Sequence, residues 1–142
     1  MRKVSHILEG KGGRVVSVPQ EAPVLEVIRL MAEYHIGSVL VMRGGELMGI
    51  ATERDYARKV ILQGRSSADT PVSAIMTTPV ACVSPEDSVT DCMSMMTDRR
   101  IRHLPVLDGG QIVGMISIGD LVKAVIEEQQ QEIHHLHQYI AS

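Results

Sequence analysis

The sequence predicts a mixed α/β (α+β) protein. Two β-α-β-β-α repeats pack sheet to sheet about a pseudo-two-fold axis, and an extended helix follows at the C-terminus. Three observations lead there. Val15–Ala57 aligns without a gap onto Val80–Val122, with identities at Val15, Val18, Glu21, Val24, Met31, Ile36, Val41, Gly44, Gly45, Gly49 and Asp55. Each copy holds two β-rich runs joined at a Gly-Gly pair. Each then closes on the same polar phrase, "GIATERD" at Gly49–Asp55 and "GMISIGD" at Gly114–Asp120. A repeat of about 60 residues buries only about 60% of its unfolded surface and is marginal alone. Pairing two of them supplies a core.

The elements follow in order. "VSHIL" (4–8) resembles "VSAIM" (72–76), at a spacing that leaves the first copy three extra residues in its Gly-rich lead-in, "EGKGGR". Val24, Val27, Ile28 and Met31 share one helical face, and Val89, Cys92, Met93 and Met96 repeat it. Ser88 precedes the second face as an N-cap, with Asp91 three residues on. "SVLVMRGGELMGIA" and "HLPVLDGGQIVGMIS" read as hairpins, because glycine accepts the positive φ of tight turns. "ERDYARKVIL" and "IGDLVKAVIEE" read as helices. The expected organisation is a first repeat with an N-terminal helix over 1–65, a second repeat over 66–128, and a helical extension over 129–142, with 63–71 as the linker.

Composition narrows the function. The net charge of −3 argues against nucleic-acid or anionic-membrane binding, which needs a strong positive field. There is no Phe or Trp and there are only three Tyr, so the stacking platforms of single-strand binders are missing. No apolar run approaches the roughly 18 residues of a membrane span. The N-terminus has no apolar core of a secretory signal, and Cys82 and Cys92 make no disulfide framework, so the cytoplasm is the expected location. His134, His135 and His137 have no neighbouring ligand to complete a metal site. They fall on a helix whose Ile133, Leu136 and Ile140 form an apolar stripe for packing or dimerisation.

The repeated phrase has two readings. Thr52 with Asp55, and Ser117 with Asp120, fit a capping pattern that satisfies orphan amides and does nothing else. Equally, a strand ending at a helix start offers N–H groups and the positive dipole end to an anion. The hydroxyl can donate to phosphate, and the carboxylate can accept both hydroxyls of a ribose. The glycine before them allows close approach of the backbone. Arg54, Arg58 and Lys59 add positive charge near the first phrase, or form a solvated helix face.

Here the sequence resembles a tandem pair of cystathionine-β-synthase (CBS) domains over residues 4 to 128. "IMTTPVACVSPEDSV", "RIRHLPVLDGGQIVGMISIGDLV" and "HIGSVLVMRGGELMGIATERDYARKV" carry the resemblance. It implies a regulatory module, a Bateman module, that binds AMP, ATP, NAD(H) or S-adenosylmethionine in two clefts between the domains. The first cleft would use Thr52 for phosphate and Asp55 for ribose, with adenine near Val16, Ile36, Gly37 and Ser38. The second would use Ser117 and Asp120, with adenine near Ala81 and Ile101. Arg102 and His103 stand where the family carries phosphate-reaching basic residues, and Gly37 and Ser38 stand there in the first copy. The resemblance further implies a homodimer and an effector protein of unknown identity. An enzyme is not expected, since no nucleophile, base and metal come together in the sequence. A ligand-free scaffolding dimer is the remaining alternative.

Overall fold

The computed structural model of the chain describes residues 2–141. They divide into two compact units: Val15–Ala81, and the residues up to Arg14 together with those from Cys82 onward.

In the Val15–Ala81 unit, β1 (Ser17–Val18) runs parallel to β2 (Ser38–Arg43), which pairs antiparallel with β3 (Glu46–Thr52). Helix α2 (Val24–Tyr34) links the first two strands and buries Val24, Val27 and Met31, the face its periodicity predicts. Each such side chain, fully buried, is worth about 1.5–3 kcal/mol. The helix stops at His35, which takes left-handed backbone angles (φ 54°). Its N–H and that of Ile36 both return to the Met31 carbonyl, satisfying the frayed end. Helix α3 (Glu53–Tyr56) continues directly into a π-helical turn over Ala57–Ile61. A tail then crosses back through a 3₁₀ turn, Val72–Ala74.

The other unit repeats this plan: α4 (Val89–Arg99), β4 (His103–Asp108), β5 (Gln111–Ser117) and α5 (Ile118–Ala141). The correspondence extends to small features. Arg100 ends α4 at φ 54°, as His35 ends α2. A β-bulge at Val106/Leu107 matches the one at Val41/Met42. The parallel first strand differs. Leu40 donates its N–H to Val16 O (3.1 Å), but its counterpart is Pro105, which has no N–H to give. That pairing shrinks to a single bridge, Val83 to Val106.

The N-terminal helix α1 (Val4–Lys11) folds with the second copy, whereas the sequence reading joined it to the first. Val4 and Ser5 donate to Asp87 O and Pro85 O, both at 2.9 Å. Val72 and Ser73 make the equivalent bonds to Ala22 O (2.8 Å) and Gln20 O (3.2 Å). Thus "VSHIL" braces the second repeat and "VSAIM" braces the first. The glycines of the repeated phrase explain themselves in the same way. A Cβ on Gly49 would lie 2.6 Å from Met76 Sδ, and one on Gly114 would lie 2.6 Å from Leu8 Cδ2. Each glycine makes room for the bracing segment.

Candidate functional site

The first phrase forms the corner between β3 and α3. Ser38 is paired with Thr52 across the hairpin, and Gly37 O accepts the Glu53 N–H at 3.2 Å. Thr52 N–H donates to Asp55 Oδ2 (3.0 Å), while Asp55 N–H donates to Thr52 Oγ1 (3.2 Å). This reciprocal capping box is the structural half of the sequence reading. Two further groups close on the same carboxylate. Thr77 Oγ1 donates to Oδ1 at 3.0 Å, and the Lys59 ammonium sits 3.1 Å from that oxygen while also donating to Ile75 O (2.9 Å). Asp55 is therefore buried, at 6% exposure, and its oxygens are occupied.

The second corner, β5 into α5, starts from the same bonds. His103 pairs with Ser117, and Arg102 O accepts the Ile118 N–H at 2.9 Å. Ser117 N–H donates to Asp120 Oδ2 (2.8 Å), and Asp120 N–H donates to Ser117 Oγ (3.2 Å). The third participant is different. Lys11, near the end of α1, donates to Asp120 Oδ2 at 2.8 Å and to Met115 O at 3.0 Å. Burial on its own would raise the Asp120 carboxyl, but the Lys11 ammonium and the Ser117 donors outweigh it and hold the group below its ordinary value. The Asp120 side chain keeps 23% of its surface exposed. It borders a cavity of about 490 Å³ between α1 and α5, whose charged lining includes Arg2, Lys11, Lys123 and Glu127. Arg2 pairs with Glu127 at 2.7 Å across this wall.

The two corners thus gather most of the residues singled out in the sequence. Gly37, Ser38, Thr52 and Asp55 come together, as do Arg102, His103, Ser117 and Asp120. Val16 and Ile36 pack, half-buried, against the core of the first unit. Ala81 closes that unit, while Ile101 belongs to the second. The Arg54 and Arg102 side chains are exposed. Sequence reasoning missed Thr77, Lys11 and Arg2. The signal for Lys11 was present in the inserted "EGKGGR", whose lysine has no counterpart in the second copy. Lys59, whose sequence admits either positive charge for a phosphate or a solvated helix face, is instead paired with Asp55.

Burial pushes the Cys92 thiol up to about 11, with Asp87 and Asp91 adding repulsion, so at neutral pH it is a poor nucleophile. Among the described residues, no three His, Cys, Asp or Glu converge as a metal site. No described helix is long and apolar enough to cross a membrane.

Comparison with known proteins agrees with the duplicated architecture. The CBS domain family matches twice, at residues 12–61 and 72–127. A mitochondrial CBS domain-containing protein of Arabidopsis thaliana, CBSX3, is 40% identical over 96% of this chain and 71% of its own length. The structure of a protein with CBS domains from Burkholderia ambifaria is 52% identical, with a TM-score of 0.86 over 89% of this chain and 96% of that one. A hexameric CBS-CP12 protein from bloom-forming cyanobacteria is 28% identical, with a TM-score of 0.76 over 84% of this chain and 70% of that one. Two matched domains in tandem, on a fold shared with these proteins, assign the chain: it belongs to the CBS domain family.

Proposed function

We propose that the protein is a regulatory module, not an enzyme, that binds an adenosine-containing ligand at its strand-to-helix corners and changes conformation on binding. AMP, ATP, NAD(H) and S-adenosylmethionine share the adenosyl group and are the candidates. The carrying observation is the recurrence, at Thr52/Asp55 and Ser117/Asp120, of a hydroxyl, a helix start and a carboxylate in the same bonding pattern. The hydroxyl and helix N–H groups suit a phosphate, and the carboxylate suits a ribose. Val16, Ile36 and the backbone of Gly37 and Ser38 would flank adenine beside the first corner, and Ile101 would do so beside the second. Arg54, Arg102 and His103 are the candidate phosphate contacts.

A ligand shifts conformation only by binding one state better than another. At the second corner such a difference has a physical origin. Ribose hydroxyls and Lys11 compete for Asp120, and a phosphate offers Lys11 an alternative partner. The output passes to a second copy of the chain or to an effector protein, within a reducing compartment such as the cytoplasm that suits Cys82 and Cys92, which form no disulfide.

The capping boxes favour a second reading, a ligand-free scaffold in which both phrases only begin helices. A thermal-shift panel of the four ligands separates the two. Binding to the native state raises stability by about 2.7 kcal/mol at a hundredfold excess over Kd. A shift with at least one adenosyl compound and none with uridine nucleotides is the expected result. No shift with any of them would leave the scaffold reading standing, and nucleotide turnover would indicate an enzyme.

A further inference from the structure

We infer that α5 is the seam of a parallel two-stranded coiled coil with α5 of a second copy of this chain. This deepens the self-association proposed above, and it stands or falls independently of ligand binding.

Helix α5 runs for 24 residues, about 36 Å at 1.5 Å per residue. Its first turns are anchored: Leu121 and Ala124 are buried in the unit. From Gln129 to Ala141 every residue is exposed. An isolated helical stretch of that length is marginal in water, because helix stability comes mainly from packing an apolar face. Such a face is present. Ile126, Ile133 and Ile140 recur every seventh residue, and Val122, Gln129 and Leu136 recur between them at the alternating three- and four-residue spacing of a coiled-coil seam. The five apolar members run from 42% exposed at Val122 to 78% at Ile140. At 100° per residue the stripe lies on the side of the helix away from Leu121 and Ala124, so packing into the unit and pairing outside it use different faces.

The residue types specify the occupant. β-Branched isoleucine at the a positions Ile126, Ile133 and Ile140, with Leu136 at d, favours two parallel strands. Gln129 is the single polar residue in the stripe, and a buried polar residue in such a seam costs stability while favouring the register that pairs it with its own copy. The flanks are complementary in the same arrangement. Glu132 falls at g and His137 at the following e, where a parallel partner sets a carboxylate opposite an imidazole donor. A membrane surface fits worse, because the helix carries no Lys or Arg after Lys123 to meet anionic headgroups.

The test is sedimentation equilibrium on the full chain, without nucleotide. The wild type should be a dimer at micromolar concentration. Ile133→Asp, at an exposed position that leaves both units folded by their thermal transition, should weaken the dimer at least a hundredfold. Gln129→Leu should tighten it at least tenfold. Ile140→Cys, at the end of the stripe, should on oxidation give a disulfide mapped between the two substituted positions, which an antiparallel pair would set at opposite ends. A monomeric wild type, a trimer or tetramer, an unchanged constant in Ile133→Asp, or an Ile140→Cys dimer that does not cross-link would each overturn the proposal.

Discussion

Asp55 and Asp120 occupy the same place in two copies of one phrase and make the same capping bonds, yet they are held differently. Asp55 lies beneath a threonine from the bracing tail and a lysine one turn along its own helix. Asp120 is met by a lysine from the N-terminal helix and keeps part of its surface open beside a cavity. The difference arises outside the phrase, in the segment that braces each repeat. After "VSAIM" the helical turn ends, and Thr77 makes an isolated β-bridge to Ile50. After "VSHIL" it continues as helix to Lys11. A duplicated motif therefore need not give duplicated chemistry. The first copy's carboxylate is enclosed by donors, and the second's stands in a part-exposed ion pair.

The largest expected effect that sharpens this contrast is on folding. Asp55→Ala removes a cap and leaves the Thr77 and Lys59 donors without their acceptor, so it should cost about 2–4 kcal/mol. Asp120→Ala should cost only about 1 kcal/mol, the usual value of a helix cap. Urea denaturation of both variants measures the gap, and equal losses would remove the asymmetry. Next, Gly13→Ala should destabilise by about 1–3 kcal/mol through overpacking, because its Cβ would meet the Val113 carbonyl oxygen at 2.6 Å. Gly10→Ala, with open space around the new atom, should be neutral or better, so the pair tests whether the N-terminal segment is docked on the second copy.

A smaller effect separates the two lysines. Lys11→Met should cost no more than about 1 kcal/mol, since the pair is part-exposed. It should also move the Asp120 carboxyl back up, as read by NMR titration. The sign follows from the depressed native value of Asp120. The wild-type advantage is fully present above the unfolded carboxylate value of about 3.9 and is lost as pH falls through the lower native one. An advantage that persisted in strong acid would mean that Lys11 acts through packing.

Much of this was legible in the chain. The gapless alignment placed α2 on α4, β2 on β4 and β3 on β5, because apolar periodicity and Gly-Gly turns are local signals. Ser88 caps α4 by accepting the Asp91 N–H, as its spacing predicts. The sequence was silent where partners come from afar. Nothing in "VSHIL" says which sheet it braces, and Lys11 meets Asp120 only once that choice is made. The helix ends at His35 and Arg100 also escaped notice, since both take left-handed angles without the glycine that usually marks them. Pro105 was the one local clue to the shortened strand in the second sheet.

The most direct test of the central claim is calorimetric titration of AMP, ATP, NADH and S-adenosylmethionine into the wild type, Asp55→Ala and Asp120→Ala. At least one ligand should bind the wild type. Asp120→Ala should weaken that ligand tenfold or more, about 1.4 kcal/mol, while keeping its folding transition. Asp55→Ala should act mainly by lowering stability. Undiminished affinity in Asp120→Ala, or no binding by any of the four to the wild type, would contradict the account and leave both phrases as helix caps.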